Sequence, residues 1–145
     1  MANITTYLEN RILAQSVGIA PSPAWHTSTK LGLFIDTPTV DYLPNAVTGT
    51  EVGSSTYGYV RKSVSWNTST SGVVSNTSDI TWTATGPWNA GNSGSATPIG
   101  YIGVFDGVSS ANNLLWFGSL SAKILMAING DTFTLPAGSL TLTLT

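Results

Sequence analysis

The sequence predicts a mainly β protein, an antiparallel β-sandwich or jelly roll of about eight strands with one N-terminal α-helix. After the first fifth of the chain, apolar residues fall into short runs that alternate with hydroxyl residues or are continuously apolar. Glycine, proline and asparagine separate these runs, as is typical of strands joined by turns. Only the first 20 residues carry apolar side chains at helical spacing. We therefore expect an N-terminal helical arm over residues 1–20 and a β-sandwich domain over residues 21–145.

The helix is predicted over Tyr7–Val17. Thr6 and Glu9 have the spacing of a capping box, in which each side chain bonds the other residue's backbone N–H. Gly18 follows as a C-terminal stop signal. The apolar face of the helix carries Leu8, Ile12 and Leu13. This face has two interpretations: it packs on its own domain, or it docks as an arm on a neighbouring subunit.

Six segments are predicted as strands, because their residues alternate or are continuously apolar. They are Leu31–Asp36, Tyr59–Trp66, Ile80–Thr85, Ile99–Phe105, Leu114–Leu120 and Leu140–Thr145. In the third and the last of these, threonine occupies every second position. Those two strands are therefore expected to be half-buried, with an outward face of hydroxyl groups.

Two hairpins are predicted from turn residues. Asp106 and Gly107 open a loop between two continuously apolar strands, so these strands are expected to pair. Asn129 and Gly130 have the residue types of a type I′ turn, which predicts a hairpin between the segments KILMAI and DTFTL. Segments rich in Ser, Thr, Asn and Gly are predicted as surface loops. These loops are Thr48–Ser55, Asn67–Asp79 and Trp88–Thr97.

The chain is poor in charge, with 5 Lys and Arg and 7 Asp and Glu against 21 Thr and 18 Ser. Binding to nucleic acid needs a cluster of cations, which five scattered ones do not form. No apolar run reaches the ~18–20 residues of a membrane span, and no signal-peptide pattern is visible. No cysteine is present, which excludes disulfides and thiolate chemistry. Nucleic acids and membranes are therefore not expected as partners.

The sequence carries no pattern that predicts catalysis. His26 is the single histidine and has no carboxylate near it in sequence. No G-x-S-x-G motif occurs, and most acidic residues lie at predicted strand ends or turns, where carboxylates cap backbone groups. Metal-ligand spacings are not indicated. We therefore expect a protein that is not an enzyme and has no catalytic, metal or cofactor site.

The five tryptophans divide into two groups. Trp66, Trp82 and Trp116 fall on predicted strands in phase with aliphatic residues, so we expect them in the core. Trp25 and Trp88 lie beside prolines in predicted loops and are expected at the surface. An exposed tryptophan in a loop is typical of a protein–protein contact. A platform on which sugar rings stack is the alternative.

Arg61 and Lys62 are the only adjacent cations. Alternation along their strand places them on opposite faces, so one of them must face inward, reach a sheet edge or pair across an interface. We hypothesise an ion pair with an acidic residue of another subunit.

Several segments in series resemble one family of small virion proteins of tailed bacteriophages. They are YLENRIL, LGLF, GTEV followed by GYVRKSVSW, GVFD, LLWFGSL and the closing GDTFTLPAGSLTLTL. Proteins of this kind are often labelled tail-fibre proteins, and similar ones act as capsid decoration (cement) proteins with a jelly-roll-like fold. The resemblance implies no catalytic residues.

The resemblance implies a cement protein that binds the outer surface of the assembled phage head and bridges subunits of the major capsid protein. It would be made in the host cytoplasm, located on the virion and assembled as a homotrimer. The residues expected at its protein interfaces are Leu8, Ile12, Leu13, Trp25, Arg61, Lys62 and Trp88. Two alternatives stay open: a tail-fibre or receptor-binding module that contacts a host surface glycan, and a free carbohydrate-binding β-sandwich.

Overall fold

The computed structural model describes residues 3–19, 28–40, 47–53, 57–68, 71–90, 94–107 and 113–143. Within these residues the chain forms one α-helix and eleven β-strands, and every strand pair is antiparallel. The helix is α1 (Thr6–Ser16). The strands are β1 (Asn3–Ile4), β2 (Thr29–Phe34), β3 (Thr39–Val40), β4 (Val47–Thr48), β5 (Lys62–Val64), β6 (Val73–Ser75), β7 (Ile80–Thr83), β8 (Ile99–Asp106), β9 (Leu114–Ile124), β10 (Thr132–Leu135) and β11 (Thr141–Thr143). The mainly β prediction with one N-terminal helix is confirmed.

The largest sheet has five strands in the order β1-β9-β8-β2-β5. Its centre is the β8–β9 hairpin that the sequence predicts. Three two-stranded sheets complete the fold: β10-β7, β11-β6 and β3-β4. The short strands β5 and β6 continue towards each other through a bridge between Trp66 and Asn76.

The main core lies between the five-stranded sheet and the two pairs β7–β10 and β6–β11. Leu33 of β2 and Val104 of β8 supply apolar side chains from the large sheet, and both are almost fully buried. Trp82 of β7 and Leu142 of β11 approach from the opposite layer. Ile80 and Trp82 are buried while Thr81 and Thr83 are exposed, which confirms the predicted alternation of β7. The two layers form the predicted sandwich, whereas jelly-roll connectivity stays a prediction.

The large sheet is covered on its second face as well. Phe34, Phe105 and Leu114 form a separate buried cluster there. Next to this cluster, Tyr7 and Leu8 of α1 pack on Leu115 of β9. The continuously apolar character of β8 and of the start of β9 therefore reflects cover on both faces, whereas Ser119, Ser121 and Lys123 further along β9 are exposed.

Helix α1 begins one residue earlier than predicted. The N-cap is Thr5, whose Oγ1 accepts a hydrogen bond from the Leu8 backbone N–H at 3.2 Å. The predicted capping box of Thr6 and Glu9 is wrong, because the shift places Thr6 inside the first turn. At the other end, Gly18 has a φ of +79° and lies just beyond the helix. The Gly18 and Ile19 N–H groups bond the carbonyls of Gln15 and Ala14, which is a Schellman motif that confirms the stop.

The predicted C-terminal hairpin is wrong, although its turn exists. Gly130 has a φ of +95°, and the Asp131 carboxylate accepts the backbone N–H groups of Ala127 and Ile128. Strand β10 follows this turn but pairs with β7, in register Phe133 with Trp82. The preceding segment has already paired with β8 as far as Ile124, so the turn carries the chain from one layer to the other.

Two of the predicted surface loops contain structure that their composition hides. Within Asn67–Asp79, strand β6 pairs with β11. Within Thr48–Ser55, Glu51 bridges Phe34 and Val52 is buried. For the described residues of these two segments, the prediction of a surface loop is wrong. A segment with only one or two apolar residues can still form a strand or a bridge when another strand supplies the partners for its backbone hydrogen bonds.

Candidate functional site

The predicted interface residues of the helix divide into buried and exposed ones. Leu8 is 2% exposed and lies against Leu115 of the same chain, so it has no surface to offer a partner. Ile12 is partly buried beside the same cluster. Leu13 is 64% exposed. The helix thus packs on its own domain through one face, and Leu13 stays available. The boundary of the arm lies in residues 20–27, outside the described ranges, and stays a prediction.

Three of the seven large apolar side chains that are exposed in the described residues lie at the C-terminal end of α1. Leu13 and Val17 are four residues apart on one helix face and are 64% and 66% exposed. Ile19 follows the Schellman turn and is 60% exposed. We refer to Leu13, Val17 and Ile19 as the apolar helix end.

A buried polar cluster fixes the helix to the sheet. The Tyr7 hydroxyl oxygen accepts a hydrogen bond from the Arg11 guanidinium. It accepts a second one from Nδ2 of Asn113, at 3.2 Å. The same Asn113 Nδ2 donates to Oδ2 of Asp106 at 2.9 Å. All four residues are buried. These contacts join α1 to both ends of the β8–β9 loop.

The predictions for Trp25 and Trp88 have different outcomes. Trp25 lies outside the described residues, as does His26. Trp88 is 1% exposed, so its placement at the surface is wrong. Its indole N–H donates to the Tyr57 carbonyl at 2.7 Å, and its ring packs edge-on against Tyr59. Trp88 therefore belongs to the core. Trp82, which is buried, and Trp66 and Trp116, which are partly buried, pack in the same core and confirm the prediction made for them.

Arg61 finds its acidic partner within its own chain. Its Nε lies 2.8 Å from Oε1 of Glu51 and its outer nitrogen 2.6 Å from Oε2, a bidentate pair. The guanidinium also covers the Phe105 ring. The Arg61 charge is thus paired within its own chain, and the hypothesis of an ion pair with another subunit stays a prediction. Lys62 is half-buried on β5, the last strand of the large sheet, so it reaches a sheet edge.

Tyr59 connects this ion pair to the core. Its hydroxyl donates to Oε1 of Glu51 at 2.7 Å and accepts the Leu33 backbone N–H at 2.8 Å. Burial raises the pKa of the Tyr59 hydroxyl far above its usual value, and the nearby Glu51 carboxylate raises it further. The group therefore remains a neutral hydrogen-bond donor, and the network is structural.

The other described carboxylates mostly cap backbone groups, as predicted from their positions. Asp79 accepts the Ala137 N–H, and Asp131 caps its own turn. Asp36 accepts the backbone N–H and the hydroxyl of Thr50, and the backbone bond lowers the pKa of this carboxyl. Among the described residues, no group of three or more His, Cys, Asp or Glu side chains is placed to hold a metal ion. No helix in this part of the chain is long and apolar enough to cross a membrane.

An open groove of about 460 Å³ lies where β9 faces β10 and β11. Trp116 and Leu120 line one wall, and Phe133, Leu135 and Leu140 line the other. These five side chains are all partly buried, so each keeps some surface open to solvent. The remaining polar lining consists of hydroxyl groups: Ser119, Ser121, Thr134, Ser139 and Thr141. None of the described lining residues carries a charge, and we call this feature the β9–β11 groove.

Sequence reasoning did not find this groove. Its walls come from strands that follow one another along the chain but belong to different layers. The available signal was the in-phase leucine of LTLTLT, of which Leu140 and Leu142 line the groove. That signal identifies an inward face and does not show that part of the face remains uncovered.

The sequence of the chain matches a known protein family over almost its whole length. The family described as "Podophage GP4 fiber I protein gp80" matches residues 3–143. No curated protein matches the chain. The matched range begins with β1 and ends with β11, so it contains the helix, both layers of the sandwich and the groove.

Proposed function

Because the chain belongs to the family of the Podophage GP4 fiber I protein gp80, we propose that it is a structural protein of the phage particle and forms part of a fibre. The observation that carries this proposal is the match over residues 3–143, which includes every described strand. A family of fibre proteins indicates a structural role rather than an enzyme.

The surface of the sandwich supports a role in an assembly of many copies. Thr81 and Thr134 are exposed cross-strand neighbours on β7 and β10, with their hydroxyl oxygens 2.9 Å apart. Thr141 and Thr143 are exposed on β11. With 12 charged residues in 145, identical copies repel one another weakly when they are crowded together.

Decoration of the head is the second candidate, and the serial resemblance to capsid cement proteins favours it. In that role the protein would bind the major capsid protein on the outer surface of the assembled head. Many copies acting together would stabilise the shell even if each contact were weak. A homotrimer would suit both placements.

Cryo-electron microscopy of purified particles, combined with quantitative mass spectrometry, tests the proposal. A fibre component predicts density in the tail and a few to a few dozen copies per particle. Hundreds of copies on the head surface would replace the fibre proposal with the decoration role. Particles from a phage that lacks the gene serve as the control for assigning the density. Absence of the protein from purified particles would overturn both placements.

The remaining alternative, a free carbohydrate-binding sandwich, is tested separately. A protein absent from particles that binds a glycan array as a monomer would support it. If the protein is in the fibre and the array is bound, a host surface glycan becomes its receptor.

A further inference from the structure

We propose that the β9–β11 groove of one copy binds the apolar helix end of a second copy of this chain. The proposal concerns the contact between copies and holds for either placement in the particle. The proposal rests on two surfaces of the same chain. Each of them leaves apolar side chains uncovered in the single chain.

The first surface is the apolar helix end. Leu13, Val17 and Ile19 are 60–66% exposed, although they lie on an ordered helix and its Schellman turn. Leu13 and Val17 are presented at the spacing by which amphipathic helices engage apolar grooves. Gln15 and Ser16 beside them are uncharged. A helix end of this kind is suited to an apolar, uncharged receptor site.

The second surface is the groove, whose described lining is uncharged and combines apolar walls with hydroxyl side chains. Its walls are aromatic and leucine side chains that are only partly buried, and no described lining residue is charged. A volume of about 460 Å³ accommodates several aliphatic side chains. The helix end does not fill the groove of its own chain, because its side chains remain exposed and do not line the groove.

A second copy is therefore the occupant that this chain itself supplies. An acidic or basic partner would gain nothing from a groove whose described lining is uncharged, whereas the apolar helix end would lose exposed apolar surface on binding. The groove and the helix end are different patches, so the contact is heterologous. Contacts of this type close into a ring or continue as a filament. A ring of three would be the homotrimer expected from the resemblance.

Cysteine cross-linking between two different variants tests the contact directly. The wild-type chain has no cysteine, so Leu13→Cys and Ser121→Cys each introduce a unique thiol. Both positions are exposed, Leu13 on the helix end and Ser121 at the groove. The two variants, one carrying a mass tag, are mixed and oxidised gently. We expect the mixed Leu13Cys–Ser121Cys dimer as the main product.

Gln15→Cys mixed with Ser121→Cys is the matched control, because Gln15 is exposed on the opposite side of the same helix. We expect at least tenfold less mixed dimer from this pair. A product dominated by Leu13Cys–Leu13Cys or Ser121Cys–Ser121Cys would overturn the proposal, because it would indicate a symmetric contact. Absence of any cross-link would overturn it as well.

Light scattering after size exclusion gives a second readout. Leu13→Asp combined with Val17→Asp should weaken assembly at least tenfold, while Gln15→Asp adds a charge to the same helix and should leave assembly unchanged. Circular dichroism checks that all variants are folded. A wild-type chain that stays monomeric at high concentration would overturn the proposal.

Discussion

Gly32 on β2 and Gly103 on β8 lie directly opposite each other, and the Phe105 ring covers both of them. A methyl group at Gly103 would lie 2.5 Å from Cδ1 of Leu114, and one at Gly32 would lie 2.9 Å from Cε2 of Phe105. Because neither glycine has a side chain, Phe34, Phe105 and Leu114 of the second core cluster and the Glu51 carboxylate pack directly against the backbone at this pair.

Gly103→Ala is expected to destabilise the protein by about 1–3 kcal/mol, because the added methyl group overpacks a closed cluster. Gly100→Ala on the same strand is the control, since its methyl group would make only ordinary contacts beginning at 3.7 Å. Urea denaturation gives the two free energies of unfolding. Equal stability of the two variants would show that the contacts around Gly103 are not tight enough to exclude a methyl group.

Arg61→Met is expected to lower the free energy of unfolding by about 1–3 kcal/mol, since it removes two charge-assisted hydrogen bonds and leaves the partly buried Glu51 without its cation. Lys62→Met, one residue along, should change stability by no more than about 0.5 kcal/mol. Denaturation at neutral pH measures both. If Lys62→Met had the larger effect, the assignment of the ion pair to Arg61 would fail.

The raised pKa of Tyr59 leads us to expect a loss of stability at alkaline pH. The pKa of the Tyr59 hydroxyl is raised in the folded protein above its ordinary value of 10.0, so above that pH the unfolded chain releases a proton that the folded protein keeps. The free energy of unfolding therefore falls as pH rises above about 10, by at most ~1.4 kcal/mol per pH unit from this group. In Tyr59→Phe this contribution is absent, so its stability should fall less steeply from pH 10 to 11.5. Identical slopes would refute the prediction.

Thr5→Ala is expected to destabilise helix α1 by about 1 kcal/mol, because Thr5 is the N-cap and its hydroxyl also donates to the Leu114 carbonyl. Thr6→Ala should leave the helix unchanged within about 0.5 kcal/mol, since Thr6 is exposed in the first turn. Amide hydrogen exchange of residues 8–16 reads the effect locally. A greater loss of protection in Thr6→Ala than in Thr5→Ala would instead support the capping box of Thr6 and Glu9 that the sequence predicted.

The local patterns in the sequence predicted a large part of the fold. The apolar spacing around Leu8 indicated the helix, and Gly18 marked its end, because both depend on residues within one or two turns. The alternation of Ile80 and Trp82 with threonine predicted which side chains of β7 are buried. The β8–β9 hairpin was predicted for the same reason, since its strands are neighbours along the chain.

The candidate site was predicted only in small part. Leu13 was expected at a contact surface and is exposed, while Leu8 and Trp88 were expected there and are buried. Composition could not separate these outcomes, because burial of a loop residue such as Trp88 depends on a carbonyl of Tyr57, 31 residues away, and on the Tyr59 ring.

The sequence by itself determined the helix, the longer strands and the inward or outward direction of the side chains on β7, because periodicity and turn chemistry act over a few residues. Only the tertiary structure decided which strands are neighbours. The Leu140 N–H, for example, bonds Oδ1 of Asn76, 64 residues earlier in the chain. Strand β10 pairs with β7, and the Arg61 charge is met by Glu51. The groove between β9, β10 and β11 follows from those pairings, since its walls belong to different sheets and close only partly against each other.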